Sequence, residues 1–224
     1  MTGLAIARAG AEVAPAVHAL MRACAAAMRR QGFHNWDAPP APERLAAMAA
    51  ARTLLVARPD PGAAPEAGDD GLLGAVFVGP APLRPYDAAL AAGDVRWAAP
   101  DAGADGRAPV AYVNALAVHP AAQGHGLGAA LMRAAEREAA AGWGARAVRL
   151  DALAANAPLL AFYARLGYAE RGRRAHDGWT FACLERVLPP SDPCHAPIRP
   201  QPSGPPCTSA ATSRATSAGC VRNR

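Results

Sequence analysis

Val13, Val17, Leu20, Met21, Cys24 and Met28 recur at spacings of three and four, which draws one face of an amphipathic helix. Arg29 and Arg30 suit its last turn, and Gly32 supplies a stop. Leu4 to Arg8, ahead of it, reads as a short strand. A second, shorter helix is predicted from Pro42, with Leu45 and Met48 turned inward. Thr53 to Ala57 and Leu72 to Val78 are β-type runs, and the Pro/Gly/Asp-rich connection between them predicts an antiparallel pair.

Further along, Ala111 to Val118 is predicted as a strand that leads through His119 and Pro120 into a glycine-bearing turn, then a helix reaching about Ala141. Arg146 to Leu150 reads as a strand and Ala157 to Leu166 as a helix. Tyr168 to Arg171 and Trp179 to Leu184 read as two closing strands. The order β-α-α-β-β-β-α-β-α-β-β places three strands in succession, so the class is α/β with a mixed, largely antiparallel central sheet flanked by helices. Residues 80–109 form a long Gly/Pro/Ala-rich insert carrying Leu83, Tyr86, Leu90, Val95 and Trp97, and these aromatics favour a lid that packs. One domain over 1–188 is expected. Residues 189–224 are Pro/Ser/Thr-rich without periodicity, the composition of a disordered tail.

Charge changes this picture little. The net charge is +5, but from Pro189 onward four arginines stand against Asp192, which leaves only +2 for the body. No basic stripe suggests nucleic acid. Every basic residue is Arg, and Lys is absent. No apolar run approaches the roughly 20 residues that span a bilayer, and no secretory leader is evident. Five widely spaced cysteines suggest reduced thiols in a cytoplasm rather than a disulfide framework. Cys194, His195, Cys207 and Cys220 lack zinc-ligand spacing, so no metal site is expected.

The stretch from Val113 to Leu131 carries the chemistry. Strand, proline, a loop holding Gly124, Gly126 and Gly128, then a helix is an arrangement that binds phosphate. Glycines permit positive φ and let backbone N–H groups approach an anion, and the helix adds its own unpaired N–H groups. Gly124, Gly126 and Ala129 also fit a dinucleotide fingerprint with Asp151 as ribose acid. The context differs: three strands precede this turn, a Pro-containing loop intervenes, and only one further helix follows.

Gln123, Gly126 and Gly128 fill the Q/R-x-x-G-x-G/A signature of the GCN5-related N-acetyltransferase (GNAT) superfamily, which this segment resembles. A second block of that family, an Asn followed by a helix ending F-Y-x-x-x-G-Y/F, is matched by Asn156 and by Phe162-Tyr163 through Gly167-Tyr168. More loosely, His34 to Asp37 and Pro85 to Leu90 resemble a subgroup that carries a Tyr-Pro after the first helix, where this chain has Ala38-Pro39-Pro40.

The resemblance implies a GNAT-like fold and transfer of an acetyl group from acetyl-CoA to a primary amine, of a small molecule or a peptide. It assigns Gln123, Gly124, His125, Gly126, Leu127 and Gly128 to the pyrophosphate, and the backbone of Ala117 and Val118 to the pantetheine arm. Asn156 goes to the cofactor or to the helix cap, and Tyr163 becomes the general acid. An alkylamine is neutral in only about one part in a thousand at pH 7, so something must take its proton. Asp151, His119, Tyr112 and the Asp37 region are candidates, and none stands out. Trp36, Tyr86 and Trp97 could line an acceptor pocket or pin the insert. A non-catalytic acyl-CoA sensor and a partner-binding protein are the competing functions. A homodimer is one assembly left open.

Overall fold

Seven strands form one sheet in the order β1-β2-β3-β4-β5-β7-β6 in the computed structural model, which describes residues 4–59, 71–83, 86–98 and 110–189. They are β1 (Leu4–Ala9), β2 (Thr53–Pro59), β3 (Gly74–Gly79), β4 (Val110–Val118), β5 (Ala147–Leu153), β6 (Ala169–His176) and β7 (Trp179–Val187). The helices are α1 (Ala14–Arg30), α2 (Pro42–Ala51), α3 (Asp87–Ala91), α4 (Leu127–Trp143) and α5 (Ala157–Arg165). Every pairing is antiparallel except β4 with β5. The sheet is therefore mixed and largely antiparallel, as the strand order predicts.

Each face of the sheet carries its own apolar layer. Leu55, Ala57, Val76, Val78, Val148, Leu150, Ala182 and Leu184 meet Leu131, Met132, Ala135 and Ala139 of α4, with α5 alongside. On the opposite face Leu54, Val56, Ala75 and Phe77 meet Val17, Leu20, Met21 and Cys24 of α1, and Leu45 and Met48 of α2. Odd and even positions of β2 and β3 thus separate cleanly, as period-two strands buried on both faces must.

Several elements differ from the sequence expectation, β5 and β7 among them, which run to Leu153 and Val187. β3 begins at Gly74 rather than Leu72, because Leu72 and Leu73 lie in the approach to the strand. Among the described residues the insert contains α3, a short helix that its Gly- and Pro-rich surroundings hide. β6 runs to His176, well past Arg171, although AERGRRAH shows no apolar alternation. Its inward side is polar because arginines there meet acids across the sheet.

The tail beyond Pro189, and with it Cys194, His195, Cys207 and Cys220, lies outside the described residues, as do residues 99–109 of the insert.

Candidate active site

β4 and β5 lie side by side for only three residues, Val110 to Tyr112 against Ala147 to Arg149. Beyond that point β4 follows β3 and β5 follows β7. The cause is visible in β4. Ala115 sits at φ 69, and the β3–β4 register shifts between Val76 and Phe77. One extra residue bends the strand, as a β-bulge does. The sheet therefore splits, and the β5-facing edge of β4 from Val113 to Val118 has no strand partner among the described residues.

The glycine turn lies at the end of that edge. Gly124 and Gly126 adopt φ 81 and φ 79, and a Cβ at either would meet nothing within 4 Å. Backbone conformation, not crowding, demands glycine there, and the turn opens onto free space. The first bond within α4 runs from the Ala130 N–H to the Gly126 carbonyl at 3.0 Å. The N–H groups of Leu127, Gly128 and Ala129 thus precede the helical ladder and carry its positive dipole end. Leu127 buries its side chain in the core and His125 is exposed.

Gly128 has another reason to be glycine. A Cβ there would lie 3.3 Å from the ring of Phe162, so the residue lets α5 approach the first turn of α4. The Nε2 of Gln123 donates to the Val118 carbonyl at 3.1 Å, folding the side chain back onto the strand end. The Cys24 thiol donates to the same oxygen at 3.2 Å. Both lone pairs of that carbonyl are engaged. Ala117 turns its side chain into the α1 layer and pairs with Ala75 of β3, so the residue whose main chain faces the cleft is Val118.

α5 supplies the next groups. Asn156 caps it, its Oδ1 accepting from the Leu159 N–H at 3.1 Å. Tyr163 is 5 % exposed and packs edge-on against Phe162 and Tyr168, with centroids 5.1 and 5.8 Å apart. Burial, and then the charge of Asp151, push its hydroxyl well above the ordinary tyrosine range. Phe162 touches α4 at Gly128, and Tyr163 is buried in the same apolar layer as Leu150 and Ala152 of β5.

Across the sheet, the insert lies over β5, β6 and β7. Tyr86 meets Trp97 edge-on at 5.4 Å and stacks on Tyr112 at 6.1 Å. The Arg149 guanidinium lies 4.5 Å from the Trp97 centroid and Arg174 lies 4.6 Å from that of Tyr86. Beneath them Glu185 takes Arg149 at 3.0 Å, Arg171 at 3.1 Å and the Ala98 N–H at 2.7 Å. Arg174 pairs with Asp151. Buried charges need such partners, and these hold the insert down. Tyr86 and Trp97 therefore pin the insert, whereas Trp36 packs into the α1 layer.

The candidate bases are scattered. His119 Nδ1 accepts from the Ala121 N–H at 3.3 Å, and Asp37 is exposed, bound to His34 at 3.0 Å and Arg29 at 3.1 Å. Tyr112 is stacked under Tyr86, and Asp151 is paired with Arg174 of β6. Sequence reasoning passed over the Arg149–Glu185 and Asp151–Arg174 pairs. Charges at alternate positions of a strand that should be buried were the available signal. Among the described residues no group of three His, Cys, Asp or Glu could hold a metal, and no helix is long and apolar enough to cross a membrane.

The fold recurs in solved structures. An acetyltransferase of the GNAT family from Streptococcus agalactiae 2603 superposes with a TM-score of 0.63 at 16 % identity, over 84 % of this chain and 97 % of that one. The structure of yncA from Salmonella typhimurium with its cofactor acetyl-CoA gives 0.56 at 17 %, over 84 % and 95 %. Arabidopsis thaliana NAA60 in complex with acetyl-CoA gives 0.59 at 14 %, over 83 % and 98 %. A comparison with curated protein sequences finds no match. The model of the acetyltransferase (GNAT) family matches residues 58–168, a span that runs from the end of β2 to Tyr168 and contains the split strand pair, the glycine turn and Tyr163. Through residues 58–168 the chain belongs to the acetyltransferase (GNAT) family.

Proposed function

We propose that this protein transfers an acetyl group from acetyl-CoA to a primary amine, both substrates being bound at once. The observation that carries this reading is the split between β4 and β5, with a glycine turn and a helix N-terminus at its mouth.

The residues fit the donor. An extended, amide-bearing arm can lie along the open edge of β4 at Ala117 and Val118, accepting from the Val118 N–H as an added strand would, the Val118 carbonyl being held by Gln123 and Cys24. A pyrophosphate suits the turn from Gln123 to Gly128, where open space and N–H groups coincide. In that role Gln123 fixes the turn to the strand end, and Gly128 brings α5 close. Asn156 orients the start of α5. Bound acetyl-CoA would supply an activated thioester.

Tyr163 is the proposed general acid. Its raised pKa keeps the proton on the hydroxyl at neutral pH, available to a departing thiolate of pKa near 8.5. Backbone N–H groups at the end of β4 can polarise the thioester carbonyl. The insert, pinned by Tyr86 and Trp97, covers the sheet next to the split and limits water there.

Calorimetric titration of the full chain with acetyl-CoA tests the reading, comparing wild type with Gly126→Glu. The expected result is micromolar binding that the variant loses while its circular dichroism stays native. Absence of binding by folded wild type would overturn the proposal. Binding without CoA release in the presence of any amine would favour a sensor instead.

A further inference from the structure

We propose that Asp151 docks the ammonium group of the acceptor, with its carboxylate held in place by Arg174. This assignment rests on the acetyl-transfer reading above and names the chemistry that its second substrate must present.

Position is the first argument. Asp151 is the second residue of β5 beyond Arg149, where pairing with β4 ends, so it stands at the apex of the split. Its neighbours Leu150 and Ala152 turn into the layer under α4 and α5, which directs Asp151 to the opposite face. The glycine turn belongs to the α4 side. Two reactants can therefore approach through the split from opposite faces, and Asp151 is the acid on the second one.

Availability is the second. The Asp151 side chain is 28 % exposed, whereas that of Arg174 is 6 % exposed. The group offered to solvent is the carboxylate, not its partner. Arg174 holds Oδ2, while Oδ1 carries no partner among the described residues. Arg174 also lies against the rings of Tyr86 and Phe181, 4.6 and 5.8 Å from their centroids, so its charge is divided among several neighbours. A carboxylate fixed by one buried arginine and open on its other oxygen suits a charge-assisted bond to an ammonium.

The third argument is proximity to the proposed acid. The field of Asp151 reaches the hydroxyls of both Tyr163 and Tyr86. A nitrogen held at Oδ1 would approach Tyr163 across the split, from the opposite face of the sheet. The groups facing Asp151 are Arg174 from β6, Tyr86 from the insert, Cys183 from β7 and Tyr163 from α5, and Arg174 is the cation among them. His34 with Asp37, the other acid-bearing pair considered above, is exposed in the loop after α1.

CoA release from acetyl-CoA by the full chain provides the test, with 2-phenylethylamine, spermidine, glycinamide and a tetrapeptide with a free N-terminus as acceptors. With the best of these, Asp151→Asn should raise the amine KM about tenfold or more, the loss of one charge-assisted contact. The KM for acetyl-CoA should stay within about twofold, and Asp151→Glu should recover part of the loss. A purely structural ion pair would lower Tm and leave the amine KM alone, which overturns the inference. If Asp151→Asn does not fold, Asp151→Glu keeps the charge for Arg174, and an unchanged amine KM in that variant overturns it equally. Wild type that binds acetyl-CoA yet releases no CoA with any of these amines also overturns it. Failure to bind acetyl-CoA would instead overturn the reading beneath it.

Discussion

The ring of Phe162 rests on α4 where Gly128 omits a side chain, 3.3 Å from the place a Cβ would occupy. One residue of the signature is thereby explained by helix packing. Gly128→Ala gains helix propensity and loses a few tenths of an ångström of clearance, so the net change should fall within about 1 kcal/mol. Gly128→Leu has no such compensation and should cost about 1–3 kcal/mol. Urea midpoints of the two variants check this. Equal midpoints would mean that α5 is not seated on α4.

Tyr163→Phe keeps the edge-on contacts with Phe162 and Tyr168 and removes only the hydroxyl. Under the proposed mechanism kcat should fall about 100-fold or more, with acetyl-CoA affinity unchanged. Because burial holds the Tyr163 proton above the ordinary range, its ionisation should not produce an alkaline limb in kcat below about pH 10. A variant with full kcat would remove Tyr163 from the chemistry.

Cys24 makes stability depend on pH in a predictable direction. Burial pushes its thiol from 9.0 up to about 11. Above the unfolded value the unfolded thiol loses its proton first, and folding must restore it. The contribution of Cys24 is thus full below about pH 9 and declines as pH rises toward 11, by roughly 2 kcal/mol at the upper end. The difference in stability between wild type and Cys24→Ala, read from urea midpoints from about pH 8 to about pH 11, should shrink accordingly. A constant difference would contradict this account.

Gly172 is where the insert joins the sheet. Val95 bridges to it, the Arg96 N–H donates to the Arg171 carbonyl at 2.9 Å, and the Arg173 N–H donates to the Asp94 carbonyl at 3.3 Å. At φ 141, a Cβ on Gly172 would fall 1.9 Å from the Asp94 oxygen. Gly172→Ala should expel residues 94–96 while leaving the seven strands paired, at a cost of about 1–3 kcal/mol. Hydrogen exchange at the Arg96 amide should speed up strongly, with β5 and β7 amides unaffected. Protection at Arg96 equal to wild type would refute the prediction.

How much the sequence disclosed follows from which constraints are local. Gly124 and Gly126 were legible because their backbone conformation depends on the residues themselves. α1 and α2 were legible because their apolar spacing is regular. The β4 bulge was not, since Ala115 is an ordinary residue forced to positive φ by the strand beside it. The second half of β6 was hidden because Arg174 finds its acid on β5, 23 residues away. Gln123 and Gly128 were recognised from the motif, but their contacts with Val118 and Phe162 depend on how the chain folds back. The motif locates these residues without saying what each one touches.

The docking of residues 94–96 on β6 also bears on how folded molecules can associate. Those residues occupy the outer main-chain groups of β6 around Gly172, so that border of the sheet is stoppered. At the other border β1 pairs with β2 alone among the described strands, and its outer side offers unpaired N–H and C=O groups from Leu4 to Ala9. A sheet stoppered at one border can be extended only from the other. Main-chain pairing between copies would then stop at two molecules joined through β1 and would not propagate into a ribbon.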